Sequence, residues 1–169
     1  MIEGVGVVMI KVIGVGNILS CDDGIGVRVA KELKKRFTEI EEIEVIIGET
    51  DYMYCLDNIN DDDFVIIIDS TYFMIRPGII TSLNFEDCDK IIFRNCENNK
   101  SAHDESLLRI LRNERRNIKG CLIGIEVDKI EFSLELSKRI SKKFDLICDN
   151  VYYEILKLSN KYLKERITT

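Results

Sequence analysis

Three carboxylates and one histidine carry the chemistry that can be read in this chain. Asp22 and Asp23 stand side by side in "KVIGVGNILSCDDGIGV", where an apolar run turns through Gly14-Val15-Gly16 and a helix should begin. Asp69 closes the apolar run "FVIIID". His103, the only histidine, lies in "SAHDESLLRIL". Ser101 can cap a helix there, with Asp104 resembling the partner of a capping box, which puts His103 in the first helical turn. The helix dipole disfavours imidazolium at that point, so the ring should stay neutral, as a metal ligand or a general base requires. Two carboxylates and one imidazole converging on one rim make a mixed oxygen and nitrogen set. Such a set suits a borderline divalent ion such as nickel or zinc, with positions left open for another partner. It can equally hold and activate a water. Plainer readings stand beside these. Asp22 can be an N-cap, Asp23 a first-turn acid, Asp69 a turn former at a strand end and His103 a surface residue.

The elements that would position these groups follow from periodicity. An apolar strand is expected over Met9–Val15, then a helix from about Asp23 to Phe37. In that helix Ile25, Val29, Leu33 and Phe37 recur every fourth position and make one buried stripe. Lys34, Lys35 and Arg36 fall in its last turn, where the dipole favours cations. A second strand is expected over Ile43–Glu49, then a loop or short helix in "TDYMYCLDNI". Phe64–Ser70 has five consecutive apolar residues, which suits a strand covered on both faces. Pro77-Gly78 marks a turn before a strand from about Ile79 to Phe85, and "KIIFRN" can form another short strand. Further helices are expected over His103–Asn117, Ser133–Phe144 and Cys148–Leu163, with the strand "KGCLIGIEV" between the first two. Strands alternating with helices argue for an α/β fold, a mostly parallel sheet with helices on both faces. In such sheets ligands sit beyond the carboxyl ends of the strands, which is where Asp22, Asp23 and Asp69 fall.

The 169 residues suggest one domain, large enough to bury a core without disulfides or structural metals. A net charge of −6 disfavours a general nucleic-acid binder. The six cysteines include no C-x-x-C pair, so they read as reduced thiols of a cytoplasmic protein. No run approaches the ~20 apolar residues of a membrane span. The apolar N-terminus lacks a basic leading region and is interrupted by Lys11, so it does not read as a signal peptide. Residues 1–8 are expected to be a dispensable extension of a single 1–169 domain.

Four stretches together resemble the hydrogenase maturation endopeptidases. "GVGNILSCDDGIGVRVAKEL" is similar to the family's opening G-x-G-N-x-L-x-x-D-[DE]-x-x-G pattern, and "IIIDSTYFMIRPG" to its apolar strand, Asp and later Pro-Gly. "SAHDESLLRIL" is similar to its Ser-x-His segment, and "LIGIEVDKIEFSLELSKRI" to its Ile-Gly-Ile strand and Leu-Ser helix. They occur in family order and span nearly the whole chain. The resemblance implies a single three-layer α/β domain, with a twisted sheet between helices. It also implies an endopeptidase that removes a short C-terminal peptide from the nickel-loaded precursor of a nickel-iron hydrogenase large subunit. Nickel would then belong to the precursor, contacted by Asp23, Asp69 and His103, with no organic cofactor and a monomer as the working form. Gly16 and Asn17 would hold the turn in shape. Where the family usually shows a Gly-Gly-Thr-like turn, this chain reads Glu49-Thr50-Asp51-Tyr52.

Hydrolysis would need an activated water and a polarised carbonyl. A metal can supply both, or an Asp can act as general base in the manner of aspartic proteases. Three other readings compete. A dinucleotide-binding turn could use Glu49 as its acid, but Leu19 and Asp23 oppose it. A cysteine protease could pair Cys21 with His103, but the neighbouring acids raise the thiol pKa. A non-enzymatic chaperone of the metal-loaded precursor would use the same three residues.

Overall fold

The computed structural model describes residues 9–88, 106–114 and 117–167. Strand β1 (Ile10–Val15) is buried along its whole length and leads through a single 3-10 turn, Cys21–Gly24, into α1 (Ile25–Arg36). Then come β2 (Ile43–Glu49), α2 (Tyr52–Asp57), β3 (Phe64–Thr71) and β4 (Ile80–Asn84). The chain continues with α3 (Leu107–Glu114), β5 (Lys119–Glu126), the short α4 (Lys138–Ser141) and the long α5 (Phe144–Ile167).

The described strands form one five-stranded sheet in the order β2-β1-β3-β5-β4. β1 is parallel to β2 and β3, and β3 is parallel to β5; only β4 is antiparallel, on the edge beside β5. Successive side chains leave a strand on opposite faces, so β1 and β3 feed two cores at once. Val12, Ile66 and Ile68 join α1 and α5 on one face. Ile13, Val65 and Ile67 join α2 and α3 on the other. The result is the expected three-layer α/β arrangement. The helical stripe of α1 is as read: Ile25, Val29, Leu33 and Phe37 are all buried.

Two features aim this scaffold at its carboxyl rim. From β1 the chain passes to β2 on one side and to β3 on the other, so the crevice between β1 and β3 is the switch point of the sheet. A Cβ at Gly26 would stand 2.3 Å from the Ile68 carbonyl oxygen and 2.5 Å from that of Val15. Glycine there lets the first turn of α1 lie directly on the ends of β1 and β3.

The expected helix over Ser133–Phe144 is not a single helix. Residues 128–137 are irregular, and α4 starts only after Ser137, whose side chain accepts from the Ile140 N–H at 3.4 Å. Ser133 is held elsewhere: its N–H donates to the Leu19 carbonyl at 3.0 Å and its carbonyl accepts from the Cys21 N–H at 2.9 Å. A backbone tied to a neighbouring turn on both sides cannot enter a helix. α5 begins earlier than expected, at Phe144. Of the expected His103–Asn117 helix the structure describes Leu107–Glu114. Residues 1–8 and the "KIIFRN" strand lie outside the described residues.

Candidate active site

The turn after β1 is built around Asp23. Gly16 has a φ of 128°, and a Cβ there would stand 2.1 Å from the Asp23 carbonyl oxygen. Only glycine permits both the backbone angle and the approach. Asn17 comes next; its side-chain oxygen accepts from the Leu19 N–H at 2.9 Å and closes the turn locally. The Asn17 N–H donates to Asp23 Oδ2 at 2.9 Å. In a phosphate-cradling turn such an N–H would face the ligand. Here a carboxylate of the chain itself takes it, which removes the basis of the dinucleotide reading.

Asp23 and Asp69 meet through Ser70. The Ser70 hydroxyl donates to Asp23 Oδ1 at 2.8 Å, and the Ser70 N–H donates to Asp69 Oδ1 at 2.7 Å. β1 and β3 are adjacent and parallel, so the residues that follow each are brought to the same end of the sheet. Burial pushes the Asp69 carboxyl from the ordinary 3.8 up to about 7; the Ser70 N–H pulls it down, and the charge of Asp23 adds to the rise. The pair thus contains a carboxyl that exchanges its proton near neutral pH, which is what general acid–base work needs. Ser70 was not singled out from the sequence. A serine after a strand-ending Asp carries no signal by itself.

Asp22, read as an N-cap, does something else. It is fully buried and turned away from its neighbour. Its Oδ2 accepts from the Asp128 and Lys129 N–H groups at 3.0 and 2.9 Å, and its Oδ1 from the Ser137 N–H at 2.8 Å. It is the clamp of the 128–137 loop, and no side chain caps the turn it sits in. Cys21 beside it is buried, and burial followed by the Asp22 charge raises its thiol pKa. A buried thiol held protonated by an acid is a poor nucleophile, which weighs against the cysteine-protease reading.

A second buried acid also went unread. Glu126 ends β5, and its side chain faces the loop after β3. Its Oε2 accepts from the Phe73 N–H at 2.9 Å and the Thr71 hydroxyl at 3.2 Å, and its Oε1 from the Ile75 N–H at 3.1 Å. The signal was present in the sequence: "LIGIE" ends an apolar run in an acid, as "FVIIID" does.

His103 lies outside the described residues. Among the described residues no group of three His, Cys, Asp or Glu side chains is placed to share a metal ion.

Known proteins offer a close comparison. The HycI hydrogenase maturation protease family model matches residues 27–154. The hydrogenase 2 maturation protease of Escherichia coli is 39% identical over 147 residues, covering 84% of this chain and 87% of that protein. The hydrogenase expression/formation protein HupD of Bradyrhizobium diazoefficiens is 32% identical over 69 residues, 41% of this chain and 36% of that protein. The chain spans 36–40% of the length of the HupD proteins it matches. In three dimensions the chain is similar to the hydrogenase maturating endopeptidase HybD from E. coli. The TM-score is 0.72 at 24% identity, covering 88% of this chain and 93% of that one, a likeness of fold.

Proposed function

Because the chain belongs to the hydrogenase maturation protease family, we propose that it is an endopeptidase. Its reaction is removal of a short C-terminal peptide from the nickel-loaded precursor of a nickel-iron hydrogenase large subunit. The observation that carries this reading is the pair Asp23 and Asp69, bridged by Ser70 at the switch point of the sheet. Two carboxylates at the end of a parallel sheet offer oxygen donors to a cation and a base to a water, and a pair of acids does not suit a phosphate.

Nickel enters as part of the substrate. It would supply a Lewis acid next to the scissile bond, with Asp23, Asp69 and His103 as the residues that meet it. The work of the chain itself is proton transfer. Asp69, with a carboxyl near 7, takes a proton from the attacking water and returns it to the departing amine, which is the aspartic-type route. Asp23, fixed by Asn17 and Ser70, stands beside it as the second carboxyl of the site. No helix among the described residues is long and apolar enough to cross a membrane. Cys21, Cys55, Cys121 and Cys148 are free and buried, and we place the reaction in the cytoplasm with a monomer as the working form.

The test uses the large-subunit precursor prepared with and without nickel. Each is incubated with the protein and the C-terminal mass is read. The expected result is a shortened nickel-loaded precursor and an intact nickel-free one. Asp23→Asn and Asp69→Asn should each cut at least about a hundredfold more slowly. A loaded precursor that binds and stays whole would make the protein a non-proteolytic chaperone instead.

A further inference from the structure

Two buried acids, Asp22 and Glu126, are not part of the proposed chemistry, and both do the same job. Each spends its oxygens on the backbone N–H groups of one rim loop. Burying a carboxylate is costly unless its acceptors are satisfied, and these two are satisfied only because the loops take one conformation. The loops so fixed expose large apolar side chains. Phe132 and Leu134 on the Asp22 loop are 89% and 63% exposed. They flank Ser133, which is tied to Leu19, itself exposed. On the Glu126 loop Tyr72 and Met74 are 69% and 83% exposed, with Phe73 and Ile75 beside them. Met74 is held at a φ of 63°, an angle that a non-glycine residue seldom takes.

These tips gain nothing from burial in the free protein, yet the fold uses two charged groups to hold them rigid. That is the signature of a surface prepared for a partner, since ordering completed before binding need not be supplied by the binding step. The partner is indicated by continuity. Asp22, which clamps one loop, is the neighbour of Asp23 in sequence. The other loop continues directly from Asp69 and Ser70. Ser133 is tied to the Asp23 turn at Leu19 and Cys21, and the Val127 N–H donates to the Thr71 carbonyl at 3.0 Å, so both loops leave the sheet beside the acid pair.

We propose that the loops 71–75 and 128–137 are the two walls of the substrate site. They would grip apolar side chains of the hydrogenase precursor on either side of the scissile bond, and Asp22 and Glu126 are the residues that position them. The proposal rests on the endopeptidase reading. It makes these loops, together with the unusual Glu49-Thr50 stretch, determinants of which precursor is accepted.

The experiment compares cleavage of the nickel-loaded precursor by wild type, Phe132→Ser, Met74→Ser and Tyr153→Ser. Tyr153 is an exposed aromatic on α5 and serves as the control. Phe132→Ser and Met74→Ser should each lower kcat/KM about tenfold, mainly through KM, with unchanged thermal melting. Tyr153→Ser should cut like wild type. Glu126→Gln replaces one acceptor by a donor facing an N–H. It should raise KM in the same way while every apolar side chain stays in place. If wild type cleaves and both apolar variants cleave equally well, the proposal is overturned and the endopeptidase reading stands. If wild type neither binds nor cleaves the loaded precursor, both fall. A rim that mediates self-association, seen as a doubled mass lost in Phe132→Ser, would assign the tips to a second copy and overturn the proposal.

Discussion

Asparagine in place of Asp69 should leave the protein more stable at alkaline pH while abolishing its activity. A free aspartate titrates near 3.8, and in the fold burial pushes Asp69 up to about 7. The native state therefore holds this proton more tightly than the unfolded chain does. Stability is at its full value below the unfolded pKa. It falls as pH rises, because unfolded chains ionise first, and the fall ends once pH passes the native value near 7. A gap of about three pH units corresponds to about 4 kcal/mol, at roughly 1.36 kcal/mol per unit. Asp69 is only partly shielded from water, which brings the expected effect to about 2–4 kcal/mol. Asparagine has the same outline, carries no charge at any pH, and its oxygen can keep the Ser70 N–H. Urea unfolding of wild type and Asp69→Asn at several pH values reads the effect. The two should have equal stability near pH ~4, and the variant should lead by about 2–4 kcal/mol near pH ~8. A variant that is less stable at alkaline pH, or a difference that does not change with pH, would refute the reasoning.

Two further outcomes follow from the buried groups. Asp22→Ala leaves one buried and two part-buried backbone N–H groups without their acceptor and should destabilise the fold by about 2–3 kcal/mol. Asp22→Asn, which keeps one oxygen, should lose less; a loss under about 1 kcal/mol for alanine in denaturant melts would show that the clamp is dispensable. Cys21→Ala should retain cleavage of the precursor within about twofold, because its thiol is buried and held protonated. Abolished cleavage in an otherwise stable Cys21→Ala protein would return the cysteine mechanism to consideration.

Much of the architecture was legible because it depends on patterns that repeat along the chain. The unbroken, β-branched-rich apolar run at Phe64–Ile68 suits a strand covered on both faces, and it is buried on both. The fourfold spacing from Ile25 to Phe37 can only be one helical stripe. The 128–137 loop was not legible, because what decides it lies far away in sequence. "EFSLELSKRI" offers two serines as helix caps, and the choice between Ser133 and Ser137 is made by contacts with Leu19, Cys21 and Asp22, more than a hundred residues earlier. The role of Asp22 was hidden for the same reason, since its partners are backbone groups with no side-chain signature. Glu49 shows a third kind of limit. It was noted as a departure from the usual turn. Its φ of 49° and its pairing with Lys31 at 3.2 Å depend on how the chain leaves β2, which no composition rule supplies.

The four acids at this rim have the same chemistry and different fates, and the number of donors facing each one orders them. Asp22 receives three backbone N–H groups, and Glu126 receives two and a hydroxyl. Both are buried and spend their oxygens on the protein itself. Asp23 receives one backbone N–H and one hydroxyl, and Asp69 receives a single N–H. Donors stabilise a carboxylate, and at Asp69 the single Ser70 N–H only partly offsets the burial that raises its carboxyl. Among the described residues the same count leaves one Asp69 oxygen to offer to a water or a metal ion. Sequence places all four acids near strand ends but cannot count their donors, because most of those donors are backbone groups from other elements. Supplying a further donor to Asp69 would lower its pKa toward the ordinary range. The acid limb of the pH profile for precursor cleavage would shift down with it, while the Asp22 and Glu126 loops would be untouched.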